Sequence, residues 1–289
     1  MDSFRIVTDS ACDLSAAVLE AWDIACARLR FSFADDEQQS YYDGALPAAD
    51  FYAAMRQSRT ARTSGVNAAD FEKVFRQELD AGRDVLYIGF SSALSSTFSA
   101  GRQVAAMLSA EYPDRQLLCV DSLCASAGTG LLLRLTAGQR DAGCTVAEAA
   151  AFAEATAPRI CHWFTVDDLT WLKKGGRISP TLAFVGSALG FKPIMHMDDT
   201  GHLVSVSRVR GRRAALQALC DAYCERAAAA EGGRVLLSHA DCEADARQLA
   251  ALLTERRHVQ VELITDVGPV IGAHCGPGTL ALFFVGGPR

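Results

Sequence analysis

Three short turns rich in serine and threonine contain the residue types best suited to binding an anion. Residues 89–98 read GFSSALSSTF, residues 62–67 read RTSGVN, and residues 8–13 read TDSACD. Hydroxyl groups and the backbone N–H groups at the start of a helix bind a carboxylate or phosphate without adding a permanent charge. Helix capping explains any one such turn. Three in one half of the chain favour a carboxylate or phosphate site.

The turn at residues 89–93 also resembles the nucleophile elbow of hydrolases, with alanine in place of the second glycine. A serine acyl hydrolase that uses Ser91 or Ser92 with a histidine is therefore the alternative function. His239, close to Asp241, and His274 follow in the chain as candidate bases.

Nucleotide and metal motifs are absent from the sequence. There is no G-x-G-x-x-G, and in KKGGR at residues 173–177 the lysines precede the glycines, unlike in a P-loop. His196 and His239 have aspartates nearby but lack a third ligand at the usual spacing. We therefore expect neither ATP binding by this chain nor a metal site.

Two basic clusters, KKGGR at residues 173–177 and RVRGRR at residues 208–213, stand out in a chain of net charge −6. They are typical of solvated turns, but arginine also suits a phosphate or an acidic protein surface. A regulator that binds a phosphate ligand through these clusters is a third possibility. Basic residues elsewhere are dispersed, so nucleic acid is not expected as a principal ligand.

Composition indicates a globular chain of 289 residues, of which 50% are hydrophobic. The longest apolar runs, such as residues 280–285, are far shorter than the roughly 18 to 20 residues that span a bilayer. The N-terminus lacks the pattern of a secretory signal, so we expect a cytoplasmic protein without an integral membrane segment. The ten cysteines include no C-x-x-C pair and are interpreted as buried reduced thiols, with a metal or redox role as the alternative.

Strand and helix patterns alternate along the whole chain, which predicts an α/β fold. We expect two α/β domains with parallel or mixed sheets flanked by helices, and a ligand between them. The boundary is placed near residue 157, giving domains 1–157 and 158–289. Predicted strands are 5–8, 25–33, 84–89, 116–121, 160–166, 192–197, 203–207, 234–238, 260–265 and 279–285.

Predicted helices are 15–22, 48–57, 68–81, 96–110, 128–142, 146–156, 211–230 and 243–255. Pro47 fits the first turn of its helix, and Thr145 with Glu148 predicts a capping box. Residues 268–279 combine glycine and proline around His274 and are interpreted as a tight loop.

In their order along the whole chain, these motifs resemble the DegV family of bacterial fatty-acid-binding proteins. The matching segments are TDSACDL at 8–14, TS at 63–64, SSALSSTF at 91–98, DS at 121–122 with Gly128 beyond, DDLTWLKKGGRIS at 167–179, KPI at 192–194, RVRGRRAA at 208–215 and IGAHCGPG at 271–278. The chain departs from the family pattern at Gly65 and Val66, where glutamine and proline are common, and at Ser96, where glycine is common.

The resemblance implies a carrier without catalytic activity of its own that encloses one long-chain fatty acid in a buried tunnel. Apart from the fatty acid as ligand, it implies no cofactor. It also implies a partner, an ATP-binding fatty acid kinase protein that phosphorylates the presented carboxylate to an acyl phosphate. By position, the implied carboxylate-binding residues are Thr63, Ser64, Ser92 and Ser95, supported by His274. Arg177 and Arg210 resemble positions that face the kinase or its phosphate.

A bound fatty acid requires two features of the fold, an apolar surface for the acyl chain and hydrogen-bond donors for the carboxylate. Burial of an acyl chain contributes about 0.8 kcal/mol per methylene, whereas a buried carboxylate without donors costs several kcal/mol. We therefore expect a closed apolar tunnel with hydroxyl and amide donors at one end.

Overall fold

The predicted alternation of strands and helices is confirmed in a computed structural model that describes residues 4–178, 190–287 and 289. Ser179, which ends one quoted motif, lies outside the described residues, as do residues 1–3. The strands are β1 (Phe4–Asp9), β2 (Ile24–Ala27), β3 (Arg30–Phe33), β4 (Asp36–Tyr42), β5 (Ala61–Ser64), β6 (Asp84–Gly89), β7 (Leu117–Asp121), β8 (Ile160–Thr165), β9 (Phe191–Met197), β10 (Leu203–Arg210), β11 (Arg234–His239), β12 (Gln260–Asp266) and β13 (Leu280–Val285).

The α-helices in the same part of the chain surround these strands. They are α1 (Ala16–Ala21), α2 (Ala48–Arg56), α3 (Ala68–Asp80), α4 (Thr97–Glu111), α5 (Ala127–Asp141), α6 (Val146–Thr156), α7 (Thr170–Lys174), α8 (Arg212–Arg226), α9 (Glu243–Arg257) and α10 (Pro269–Cys275). None of the described helices is long and apolar enough to cross a membrane.

The first sheet is parallel and has the strand order β2–β1–β6–β7. Every residue of β6 is buried, as expected for a central strand covered by helices on both faces. Because β1 and β6 are parallel neighbours, the turns that follow Asp9 and Gly89 lie at the same edge of the sheet. The sheet therefore brings together two of the three hydroxyl-rich turns.

The second sheet is antiparallel, has the order β4–β3–β5, and was not predicted. The single strand expected at 25–33 is wrong, because β2 belongs to the first sheet and β3 to the second. The segment around Thr63, interpreted as a turn, is strand β5, whose Thr63 pairs with Phe31. Its sequence, ARTS, has no apolar alternation, and none of its four residues is fully buried.

The third sheet is mixed and contains six strands in the order β10–β9–β8–β13–β11–β12. One face carries α8 and α9, which bury a separate apolar cluster with β8, β11 and β13. The opposite face turns toward the first part of the chain and contributes side chains such as Phe164 and Phe283 to the main core.

Helix α5 lies between the first and third sheets and contacts β1 and β6 on one side and β8, β11 and β13 on the other. Its leucines, Leu131, Leu132 and Leu133, are at most 1% exposed. The main core therefore continues across residue 157, where the strands change from one sheet to another. The division into domains 1–157 and 158–289 stays a prediction.

Two glycines of α5 provide a matched test of this packing. A Cβ added at Gly128 would lie 2.1 Å from Nε2 of His162, whereas one added at Gly138 would meet nothing within 4 Å. We expect Gly128→Ala to lower the free energy of unfolding by about 1–3 kcal/mol, because the overlap forces the two elements apart. Gly138→Ala should raise it by up to about 1 kcal/mol. Urea denaturation of both variants measures the difference, and equal effects would contradict this packing.

Several predicted boundaries are corrected by the structure. The segment 268–279 is not a loop but contains α10, a seven-residue helix with Pro269 at its first position and Gly276 after its end. Helix α8 ends at Arg226 rather than at 230, because Ala227 pairs with Gly286 in an isolated bridge. Pro47 directly precedes α2 and is not within its first turn.

One smaller prediction is confirmed, and a second is confirmed in part. The capping box of α6 is complete, since Thr145 Oγ1 accepts from Glu148 N at 3.3 Å and Thr145 N donates to Glu148 Oε2 at 2.8 Å. The second, that the cysteines carry free thiols, holds for all ten in the described residues, but their predicted burial is wrong for half of them, since five are buried and five are half-buried.

Candidate ligand-binding site

A cavity of about 240 Å³ lies between the edge of the first sheet and the inner face of the third. Its two ends differ in chemistry. One end is lined by hydroxyl groups and basic side chains, namely those of Thr63, Ser64, Ser95, Ser96, Arg177 and His274. Most of the remaining wall is apolar and includes Leu29, Phe90, Phe164, Met197, Val270 and Phe283. Ser64 and Ser96 are exposed, so the polar end reaches the protein surface.

Glycine at position 65 allows the two hydroxyl-bearing segments to approach closely. A Cβ on Gly65 would lie 2.7 Å from Oγ1 of Thr97, which is closer than a side chain tolerates. Thr97 Oγ1 is in turn 2.9 Å from Ser95 Oγ, and Thr97 N donates to the same serine oxygen at 3.2 Å. The end of β5 and the turn before α4 therefore present their hydroxyls to one space.

The start of α4 contributes a second kind of donor. Ser96, which precedes this 15-residue helix, makes no capping hydrogen bond with its side chain. The N–H groups of a helix's first turn have no partners within the helix, and they carry partial positive charge. Ser96 also lines the cavity, so this end combines hydroxyl donors with a helix N-terminus suited to a carboxylate.

The imidazole of His274 orients the hydroxyl of Thr63. Thr63 Oγ1 lies 2.8 Å from His274 Nε2. Burial and the nearby charge of Arg177 lower the pKa of His274 to about 4, so the ring is neutral near pH 7. Its Nδ1 is buried and has no partner among the described residues. A buried N–H without an acceptor is costly, so we assign the proton to Nε2, which donates to Thr63. The threonine O–H can then donate into the cavity.

Arg177 connects two loops at the polar end. Its Nε donates to the carbonyl of Leu94 at 3.2 Å, and its Nη1 donates to the carbonyl of Gly175. A Cβ on Gly175 would lie 2.3 Å from His274 Nδ1, so glycine lets this loop rest against the imidazole. Arg177 is half-buried in the cavity wall, and its pKa is lowered by burial.

Neutral His274 leads to a prediction about pH. Between its ordinary pKa of 6.5 and about 4, the unfolded chain binds a proton at His274 that the folded protein does not. The free energy of unfolding therefore falls as pH drops through this window. We expect wild type to lose stability relative to His274→Gln between about pH 7 and about pH 5, measured by urea denaturation.

Two features make that comparison specific. Burial raises the pKa of Asp9 and of Asp43 to about 6, but both carboxyls are present in wild type and variant and cancel in the difference. His258→Gln at an exposed position serves as the control. A stability difference that is the same at both pH values would contradict a neutral, buried His274.

Three residues singled out in the sequence are placed away from the cavity wall. Ser92 is exposed, and its backbone N–H donates to Asp121 Oδ1 at 3.2 Å. Ser91 is fully buried, and its hydroxyl donates to the carbonyl of Gly201 at 3.1 Å. Arg210 is exposed at the end of β10. Among the described residues no hydrogen bond joins Ser91 or Ser92 to a histidine, so the geometry does not favour a serine hydrolase.

The second basic cluster is partly used within the fold. Arg212 donates to Asp245 Oδ2 at 2.8 Å and to the carbonyl of Gly278 at 2.7 Å. In the part of the chain that the structure describes, no three His, Cys, Asp or Glu side chains are grouped as a metal site requires.

The family of the chain follows from comparison with known proteins. A model of the DegV family matches residues 3–286. The chain belongs to the DegV family. It is 36% identical to a DegV domain-containing protein of Clostridium perfringens, with 99% of this chain and 98% of that protein covered.

Solved structures of DegV proteins have the same fold. A DegV lipid-binding protein from Thermotoga maritima has 29% identity and a TM-score of 0.86, with 99% of each chain covered. A second Thermotoga maritima protein, described as having a fatty acid binding function, has 28% identity and a TM-score of 0.86, and 99% of this chain and 100% of that one are covered.

Sequence reasoning missed some residues of this DegV cavity. Ser96 was noted only as a departure from the family pattern. It lies in the hydroxyl-rich turn at residues 89–98, so the argument that this turn binds an anion could have included it. Ser126 and Ser238 also line the cavity. They stand singly beside α5 and within β11, and no local pattern distinguishes them from other serines.

Proposed function

We propose that the protein binds one long-chain fatty acid in this cavity, with the carboxylate at the hydroxyl end and the acyl chain along the apolar wall. The carboxylate is bound by Thr63, Ser64, Ser95 and Ser96, and His274 orients the Thr63 hydroxyl. The observation that carries the proposal is the contact of Thr63 with neutral His274, beside a helix N-terminus, at one end of an apolar cavity. The fatty acid binding described for the Thermotoga maritima relative supports it.

The second part of the proposal concerns a partner protein. We infer that the protein performs no chemistry itself and presents the carboxylate, at the surface-exposed end of the cavity, to a separate ATP-dependent kinase that forms an acyl phosphate. Arg210, exposed on β10, is the proposed docking residue. Arg177 donates to the carbonyls of Leu94 and Gly175, and Gly175 lies against His274, so the proposed role of Arg177 includes the geometry of the headgroup site. Ser92 does not line the cavity, so it is not part of the proposed carboxylate site.

The binding step is tested by analysing what the protein carries. Protein purified from a bacterial host is denatured, extracted with organic solvent, and analysed by mass spectrometry. We expect close to one long-chain fatty acid per chain. Protein that contains no lipid and that takes up none when incubated with stearic acid would overturn the proposal. The kinase step is tested separately, since Arg210→Glu should lower partner-dependent phosphorylation and leave fatty acid binding unchanged.

A further inference from the structure

A pair of hydrogen-bonded serines interrupts the apolar wall of the cavity away from the headgroup end. Ser126 Oγ lies 3.0 Å from Ser238 Oγ, and Ser126 Oγ donates to Asp13 Oδ2 at 2.5 Å. Both serines line the cavity, and they are 6% and 0% exposed. Two hydroxyl groups in an otherwise apolar wall are unusual for a cavity that holds only an acyl chain, and they remain buried because they are hydrogen-bonded to each other and to Asp13.

The position of this pair along the cavity follows from α10. Asp13 Oδ1 accepts from Gly268 N, at the start of α10, at 2.9 Å. His274, in the last turn of the same helix, contacts Thr63 at the headgroup end. His274 is six positions after Gly268, which corresponds to a helical rise of about 9 Å. The serine pair therefore lies several methylene groups along the chain from a carboxylate bound at Thr63.

The backbone at Ser126 adopts a conformation that is unfavourable for serine. Its φ of 52° and ψ of −146° fall in a region that glycine adopts freely and other residues adopt only with strain. Glycine would relieve this strain but would remove the hydroxyl. The strained conformation keeps the side chain of Ser126 between Asp13 and Ser238.

Ser238 retains hydrogen-bonding capacity toward the cavity, whereas the nearby His162 does not. Nε2 of His162 accepts from Ala125 N at 3.2 Å, and Nδ1 lies 2.9 Å from the carbonyl of Ile160, so both ring nitrogens are used by the protein. A serine hydroxyl offers one donor and two acceptor lone pairs, and the contact with Ser126 uses one of these. Because Ser126 donates its proton to Asp13, Ser238 donates to Ser126, and Ser238 Oγ keeps acceptor lone pairs for a ligand hydroxyl that donates.

We propose that Ser238 and Ser126 form a second subsite that binds a hydroxyl group on the acyl chain, so that the ligand class includes monohydroxylated long-chain fatty acids. This inference rests on the proposed function, because it takes the headgroup to lie at Thr63. The subsite determines specificity, and the apolar wall on either side excludes a hydroxyl group elsewhere along the chain.

The test compares stearic acid with monohydroxystearic acids in which the hydroxyl moves along the chain one carbon at a time. Affinities are measured by isothermal titration calorimetry on delipidated protein. We expect one narrow range of hydroxyl positions to bind at least as tightly as stearic acid, and other positions to bind about tenfold or more weakly. Ser238→Ala should weaken the preferred isomer about tenfold relative to stearic acid, so that the preference for one hydroxyl position is lost.

Ser126→Gly provides a second variant, in which glycine suits this backbone but the donor to Asp13 is lost, and it should remove the same preference. The inference is overturned if wild type binds stearic acid but no hydroxyl position is preferred. It is also overturned if both variants change the affinities for stearic and hydroxystearic acids equally, which would make the serine pair a structural link only. Failure of wild type to bind stearic acid would overturn the proposed function as well.

Discussion

Thr63→Val is expected to weaken the binding of a long-chain fatty acid by about tenfold to a hundredfold. Valine has nearly the shape of threonine but removes the hydroxyl that His274 orients at 2.8 Å. A hydrogen bond to a carboxylate is worth about 1.5–3 kcal/mol, and its loss also leaves Nε2–H of His274 without an acceptor. Displacement of a fluorescent fatty acid by stearic acid, followed over a range of concentrations, measures the change.

Three controls separate loss of the donor from general damage to the fold. Thr63→Ser keeps the hydroxyl and should bind within a few fold of wild type. Ser92→Ala alters a hydroxyl outside the cavity and should have no effect. The primary alcohol of the same chain length has no charge, so its binding should respond less to Thr63→Val than that of the acid. An unchanged affinity of the valine variant for stearic acid would place the carboxylate elsewhere.

Ala281→Phe is expected to exclude long acyl chains while preserving the headgroup site. Ala281 lies on β13 beside Phe164 and Ser238 and lines the cavity. A phenyl ring here occupies space that the acyl chain would use. If three methylenes lose their burial, the loss is about 0.8 kcal/mol each, which lowers affinity about fiftyfold. Fatty acids short enough to end before Ala281 should bind as they do to wild type.

Ala215→Phe is the matched control for this substitution. Ala215 belongs to α8, is fully buried, and lies in the apolar cluster that this helix forms with the other face of the third sheet. A ring has no cavity to enter there, so the free energy of unfolding should fall by about 1–3 kcal/mol. Ala281→Phe should cost less, because its ring enters the cavity. Equal destabilisation of the two variants, with long-chain binding retained at Ala281→Phe, would show that the acyl chain does not pass this position.

Local sequence patterns predicted the parts of the site that depend on neighbours in the chain. The turn at residues 91–98 follows an apolar strand and precedes a helix, so its place at the edge of the sheet could be inferred. Its convergence with Thr63 could not, because the second sheet is built from β3, β4 and β5, of which β4 is mostly exposed and polar. Such strands lack the alternation that marks a half-buried strand.

Helix α10 was missed for a different reason. Glycine and proline suggested a loop, but Pro269 at the first position and Gly276 after the last are also typical of the two ends of a helix. What holds this helix is distant in the chain, since Asp13 accepts from Gly268 N and Asp43 Oδ1 accepts from Val270 N at 3.3 Å. Contacts that join residues more than two hundred positions apart leave no local pattern, so the wall that carries His274 was found only in the structure.

The shared helix α5 bears on the kinetics of ligand exchange. Because α5 contacts both sheets and its Leu131, Leu132 and Leu133 are buried, separation of the two halves as rigid bodies would expose this helix to water. We therefore expect the proposed ligand to leave by displacement of the loops around Gly65, Ser95 and Gly175 rather than by opening of a hinge. Release is then a first-order step whose rate does not depend on the concentration of a competing ligand. Under the proposed function, we expect the residence time of the fatty acid to be set by loop opening, and we expect the proposed kinase partner to shorten it if it contacts those loops.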